Sequence, residues 1–191
     1  YQRAGLEKLP LCCEWIRDSL AASAGTGTKM IVFAHHRAVM DGLQAGALEA
    51  GERGWPGAAF VRIDGSTDEI DRRDAVRRFR SDPALRVALL SVTAAGVGLD
   101  FSAASVVVFA ELPREVSWLR QAEDRAHRQG QVSAVNVYFL LSRGAYDERL
   151  WQHLSASLER VTAAIDGRRR SAEGPGPGGP AGAGAPARGG G

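Results

Sequence analysis

A chain of 191 residues with 45% hydrophobic and 24% charged residues has the composition of a globular domain with room for one sizeable core. Its formal net charge of +2 is too small to mark a nucleic-acid binder by bulk charge, so any basic surface has to come from arrangement. No apolar run is long enough to cross a bilayer and no secretory signal pattern opens the chain, so no membrane partner is expected.

A chain that opens on Tyr1 rather than methionine is expected to be a piece of a longer protein. Leu9, Cys12, Cys13, Ile16 and Leu20 then recur at helical spacing. Cys12 and Cys13 are adjacent, which suits neither a disulfide nor a metal site without further ligands. They argue for a reducing compartment, and no metal ligand is expected here. GTGTKM, Gly25 to Met30, looks like a fragment of a Walker A loop. That loop needs GxxxxGK[ST] between a strand and a helix, so that backbone amides at the helix start cradle phosphates. Here the glycines precede a strand and Lys29 is followed by Met30, so the stretch reads as a linker.

Five short apolar runs follow: MIVFA (Met30 to Ala34), FVRI (Phe60 to Ile63), VALLS (Val87 to Ser91), SVVVFA (Ser105 to Ala110) and VNVYFLL (Val135 to Leu141). They are rich in β-branched residues, as buried parallel strands are. Helix-like stretches separate them: Arg37 to Ala50, Asp68 to Arg80, Val116 to Gln129 and Tyr146 to Ile165. GERGWPGAA, Gly51 to Ala59, reads as a surface loop. The alternation predicts an α/β domain of three layers, with a mainly parallel sheet of five or six strands and helices on both faces.

Ligands of such sheets gather at the carboxyl ends of the strands. His35-His36 follows the first run, Asp64-Gly65-Ser66-Thr67 the second, TAAGVGLDF the third and Glu111 the fourth. Each alone is explained by a turn or a cap, Ser66, Thr67 and Asp68 especially. Four together favour one shared site. Gly96 and Gly98 invite a dinucleotide-binding reading, but the third glycine is missing and the stretch follows the third strand rather than the first.

QAEDRAHRQGQ, Gln121 to Gln131, sets Arg125 and Arg128 on one helix face before Gly130, a residue suited to a C-cap. Two guanidiniums so held grip phosphate oxygens well. A solvated helix face with Glu123 and Asp124 pairing internally accounts for the same residues. Arg168, Arg169 and Arg170 form a basic cluster, and from Gly174 to Gly191 every residue but Arg188 is Gly, Pro or Ala. That last stretch is expected to be disordered.

IVFAHHRAVMDGL, RIDGSTDEIDRRDAVRRF, LLSVTAAGVGLDFSAASVVVFAEL and QAEDRAHRQGQ, in that order, resemble motifs IV to VI of the Swi/Snf-type DNA-translocating ATPases of helicase superfamily two. The Ala-His-His, Phe-Ala-Glu-Leu and Gln-Ala-Glu-Asp-Arg spellings resemble the annealing-helicase branch. The likeness covers about Lys8 to Trp151. It implies one RecA-like lobe of a two-lobed motor that binds ATP with Mg2+ in the cleft between lobes. The first lobe of that family supplies the Walker A lysine and the acidic magnesium-binding motif. This chain has neither, so it is similar to the second lobe, and its first partner would be the first lobe of the same protein.

The resemblance implies roles residue by residue. Arg125 and Arg128 would face the γ-phosphate, with Arg128 the principal finger, and Gln121 would couple nucleotide and DNA states. Gly96 and Gly98 would let backbone approach nucleotide or DNA phosphate, and Asp100, where the wider family often has asparagine, would hold a water or ribose contact or cap a turn. Thr93 and Ser66 would contact phosphates of double-stranded or forked DNA. Arg72 matches an arginine the family has after its Asp-Gly-Ser turn, with a supporting salt bridge as the alternative role. Where the family has Trp-Asn-Pro or Trp-Asp-Pro after Phe-Ala-Glu-Leu, this chain reads Pro113 to Trp118 differently. The expected layout is an N-terminal helix and linker at 1–28, the lobe at 29–166 and a disordered tail at 167–191. The expected function is rewinding or remodelling DNA at stalled replication forks, in the nucleus. The alternatives are a degenerate lobe kept for DNA or protein binding, a chromatin-remodelling lobe and a free-standing nucleotide-binding protein.

Overall fold

The computed structural model describes residues 2–49, 56–94, 99–114, 117, 135–143 and 146–157. The chain divides into two compact units, Tyr1–Ser155 and Ala156–Gly191, and the sheet belongs to the first. Its elements in chain order are α1 (Gln2–Ala22), β1 (Met30–Ala34), α2 (Arg37–Leu43), β2 (Phe60–Ile63), α3 (Glu69–Ser81), β3 (Val87–Ser91), β4 (Val106–Phe109) and β5 (Asn136–Phe139). Residues 146–157 are helical. The five strands lie in the order β2-β3-β1-β4-β5, and every neighbouring pair is parallel. The α/β reading with a parallel five-stranded sheet therefore holds.

Position in the sheet explains why the runs differ in pattern. β1 and β3 stand inside the sheet, and all five residues of each are buried. A strand covered on both faces needs an unbroken apolar run. β2 and β5 form the edges and alternate between more and less exposed residues. On one face Val32, Leu89 and Val108 join Ile16 of α1 and Leu43 of α2 in the main core. On the other, Phe33, Phe109 and Phe139 occupy one register row and stack at centroid distances of 5.1 and 5.2 Å. Trp151 closes that row against Phe139 at 4.8 Å. α3 contributes Val76 and Phe79, both buried and outside the main core cluster.

The helix expected from Arg37 to Ala50 stops being α-helical at Leu43 and continues as a π-helical turn, Gln44–Leu48. α1 crosses it very closely. A Cβ on Gly42 would stand 2.2 Å from Leu9 Cδ2, so a larger residue there would force the Leu9 side chain to move. The helix expected from Val116 to Gln129 lies outside the described residues, Ser117 excepted.

Lys29 confirms that GTGTKM serves no phosphate cradle. Its Nζ donates to the carbonyl oxygens of Phe79, Asp82 (2.6 Å) and Leu85 (2.9 Å), which close the end of α3. Burial holds its pKa below the usual lysine value, with Asp82 opposing that effect. A second buried ammonium, Lys8 of α1, donates to Asp147 Oδ2 at 2.6 Å and to the Leu140 oxygen at 2.7 Å. It fastens α1 to the chain beyond β5. Cys12 and Cys13 are free and buried, and burial raises the Cys12 thiol to about 11, which keeps it protonated and unreactive.

Candidate nucleic-acid and nucleotide interface at the strand ends

Parallel register puts Ile63, Leu90, Phe33 and Phe109 in one row across four strands. The loops that follow leave the same edge of the sheet. His35 and Glu111 stand two residues past that row; Ser66 and Thr93 stand three past it. The loops of the four strands therefore share the carboxyl edge of the sheet.

Glu111 organises one side of it. Its side chain is 2% exposed, and a carboxylate so buried needs donors. Oε2 accepts from the backbone N–H of His35 at 2.8 Å and of His36 at 2.9 Å. Oε1 meets His36 Nδ1 at 2.7 Å. Helix α1 passes directly over this group: a Cβ on Gly5 would lie 2.5 Å from Oε1. Glycine is required there by space. Burial, then the neighbouring His36, lowers the pKa of His35, while Glu111 opposes the fall. His36 is the N-cap residue of α2, in extended conformation. The Ala-His-His and Phe-Ala-Glu-Leu stretches thus form one unit, with the acid of the second holding the turn of the first.

The turn after β2 is built around Asp64. Oδ1 accepts from Ser66 N at 3.0 Å and Ser66 Oγ at 2.6 Å; Oδ2 accepts from Arg62 Nε at 3.1 Å and Nη2 at 3.0 Å. The Ser66 hydroxyl, with its N–H and Arg62, pulls the Asp64 pKa down to about 2. Asp64 N donates to Thr67 Oγ1 at 3.0 Å, and Asp68 Oδ1 accepts from Asp71 N at 2.8 Å as the N-cap of α3. Arg72 reaches back to the Thr67 oxygen at 2.8 Å and the Asp64 oxygen at 3.2 Å. These bonds to carbonyl oxygens give it a supporting role in the turn, the kind of role that the sequence offered as the alternative. Ser66 is exposed at the tip, its hydroxyl already turned to Asp64.

After β3, Thr93 is exposed and its hydroxyl lies 3.0 Å from Ser91 Oγ, which also accepts from Ala94 N at 3.1 Å. Asp100 faces α3: Oδ1 accepts from Ser102 N at 3.1 Å, and Oδ2 lies 3.4 Å from Arg80 Nη1. The turn-capping role proposed for it is one it performs. Gly96, Gly98, Gln121, Arg125 and Arg128 lie outside the described residues. Sequence reasoning missed Arg62, whose Nη1 reaches Asp41 Oδ1 at 2.7 Å and Gln44 Oε1 at 2.9 Å and so ties α2 to the Asp64 turn. An arginine inside an apolar strand was the available signal. It also missed Lys8 and Asp147, 139 positions apart and without any local signal.

A family model described as the helicase conserved C-terminal domain matches residues 7–130. Among curated proteins, the DNA annealing helicase and endonuclease ZRANB3 of Mus musculus is 41% identical over 141 residues, covering 74% of this chain and 13% of that protein. The SWI/SNF-related matrix-associated actin-dependent regulator of chromatin subfamily A-like protein 1 of Xenopus tropicalis is 38% identical over 159 residues, covering 83% of this chain and 16% of that protein. The chain therefore spans less than a fifth of the length of these relatives. Among solved structures, the C-terminal part of the Fun30 ATPase domain superposes with a TM-score of 0.63 at 26% identity, over 73% of this chain and 43% of that one.

Proposed function

The chain belongs to the helicase conserved C-terminal domain family, as the second RecA-like lobe of a Swi/Snf-type superfamily-two ATPase of the annealing-helicase branch, and from this we propose that it is the C-terminal motor lobe of a DNA translocase that rewinds or remodels stalled replication forks. The observation that carries the reading is the strand-end edge: the exposed hydroxyl residues Ser66, on the turn built around the strongly paired Asp64, and Thr93, on the turn where its hydroxyl meets Ser91 Oγ, stand there together. Such donors suit phosphates, which carry no sequence information, and a motor has to step along any sequence. An annealing helicase is named among the relatives, and fork rewinding in the nucleus extends that name to this chain.

ATP with Mg2+ supplies the phosphoryl group whose transfer drives the motor. In this reading the nucleotide sits on a first lobe outside the chain. Arg125 and Arg128 neutralise charge on the transferring phosphoryl from across the cleft, Arg128 foremost, and a missing finger of this kind lowers the rate by about a thousandfold or more. Gln121 links that helix to the DNA side. Gly96, Gly98 and Asp100 shape the loop where backbone and phosphate meet. Among the described residues no group of three His, Cys, Asp or Glu is arranged to hold a metal. Magnesium ligation is assigned to the first lobe.

The test is Arg128→Ala in the full-length protein, with DNA-stimulated ATP turnover as the readout. A loss of about a thousandfold at unchanged thermal midpoint is expected. Normal turnover would sink the finger assignment and favour a lobe retained for binding alone.

A further inference from the structure

The outward face of α3 carries charge that the strand-end site does not use. Arg73, Arg77 and Arg80 follow one another at spacings of four and three, so they share one side of the helix. With Val76, Leu99 and Asp100 they line an open depression of about 610 Å³. Their side chains are 76%, 79% and 56% exposed. Each has a carboxylate neighbour: Glu69 for Arg73, Asp74 for Arg77, and Asp100 for Arg80 at a long 3.4 Å. Exposed pairs of this kind add little to stability and exchange partners readily. A phosphate offers a guanidinium two oxygens in a matching plane, so it competes well for such a group.

Dimensions narrow the ligand. Arg73 and Arg80 are separated by about 10 Å along the axis, at about 1.5 Å per residue. Phosphates of one DNA strand rise about 3.4 Å each along the duplex, so about 10 Å corresponds to three steps along one strand, a length over which three arginines can each meet a phosphate. The helix also starts from the turn that carries Ser66, with Asp68 as its cap.

We propose that the Arg73-Arg77-Arg80 face of α3 is a further contact for the phosphate backbone of duplex DNA, extending the strand-end track along the side of the lobe. The proposal rests on the motor-lobe reading above. In it the three guanidiniums trade their surface carboxylates for phosphate oxygens when DNA is present, and read no base.

The experiment uses the full-length protein and random-sequence duplex DNA, with binding followed from about 50 to 200 mM salt. In the triple variant R73Q/R77Q/R80Q, the slope of log affinity against log salt should become shallower by about 2 to 3, one step of about 0.9 for each lost contact. Affinity near the low-salt end should fall about 10- to 100-fold, equally on unrelated sequences. The thermal midpoint should stay the same, because all three side chains are exposed. The variant R73K/R77K/R80K should keep the slope. Should the triple Gln variant fold poorly, R77Q alone carries the test, with a slope change of about 1. An unchanged slope in a folded Gln variant, beside an unmodified protein whose ATP turnover is stimulated by DNA, overturns this proposal alone. An unmodified protein that neither binds duplex nor is stimulated by it overturns the motor-lobe reading and this contact with it.

Discussion

Asp64 shows how much one side chain can fix. Four donors from Ser66 and Arg62 converge on its two oxygens, and its pKa falls from 3.8 to about 2. A carboxylate whose folded value is depressed stabilises the fold above its unfolded value and loses that contribution as pH falls through the folded one. The window here runs from about 4 down to about 2. At about 1.4 kcal/mol per unit, with a side chain only 15% exposed, the contribution is of order 2 kcal/mol. Asp64→Asn should therefore lower unfolding free energy by about 1–2 kcal/mol at neutral pH, and the gap between the two proteins should close as pH drops from about 4 to 2. Denaturation at a series of pH values measures it; a gap constant down to pH 2 would show that the ionised carboxylate does not hold the turn. At this scale legibility followed sequence distance. Asp68 is readable as a cap because its partner, Asp71, is three residues away. Glu111 marks a strand end in the sequence, yet its partners His35 and His36 lie 76 and 75 positions back, where no local pattern points to them.

Elements were legible where packing agrees with local pattern. The interior strands read clearly because burial on both faces demands continuous apolar runs, and those runs are what MIVFA and VALLS are. The stretch from Arg37 read as one helix because its apolar spacing says nothing about how closely α1 presses at Gly42. Lys29 is the residue whose local spelling misleads most, since a lysine after a glycine-rich run suggests phosphate. Its three carbonyl partners belong to the end of α3 and to the turn beyond it, so its effect is exerted on an element some fifty residues downstream. Lys29→Met keeps the length of the chain but removes every donor. Buried carbonyl oxygens left without partners cost about 1–3 kcal/mol each when desolvation is complete. A loss of about 2–4 kcal/mol in chemical denaturation is expected, carried by the α3–β3 region, with amide exchange faster at Asp82 and Leu85, whose N–H groups close that turn on Arg78 and Asp82 oxygens. A loss below about 0.5 kcal/mol would mean that water replaces the ammonium without difficulty.

The whole molecule is half of a proposed composite site, and its behaviour alone should say so. Catalysis of phosphoryl transfer is almost entirely positioning and charge neutralisation, and in this reading the phosphate cradle and magnesium ligands are on the other lobe. The chain by itself should hydrolyse no measurable ATP. Its DNA binding follows from what the strand-end edge offers. Hydroxyls at Ser66 and Thr93, and the arginine face of α3, can meet phosphates, whereas no zinc-finger spacing and no recognition helix rich in base-reading side chains occurs in the sequence. With a formal charge of +2 spread over 191 residues, one lobe attracts a duplex weakly, and most affinity has to come from two lobes closing on the same DNA. Binding by the isolated chain should be weak, indifferent to sequence and steeply reduced by added salt. Thr93→Ala should weaken it by a similar factor on unrelated duplexes, because a hydroxyl that meets phosphate has no base to prefer. Fluorescence anisotropy with several duplexes across a salt series reads all of this at once. A marked preference for one sequence that survives high salt would instead mean that the loops beyond β2 and β3 read bases, which a translocating motor cannot afford along arbitrary DNA.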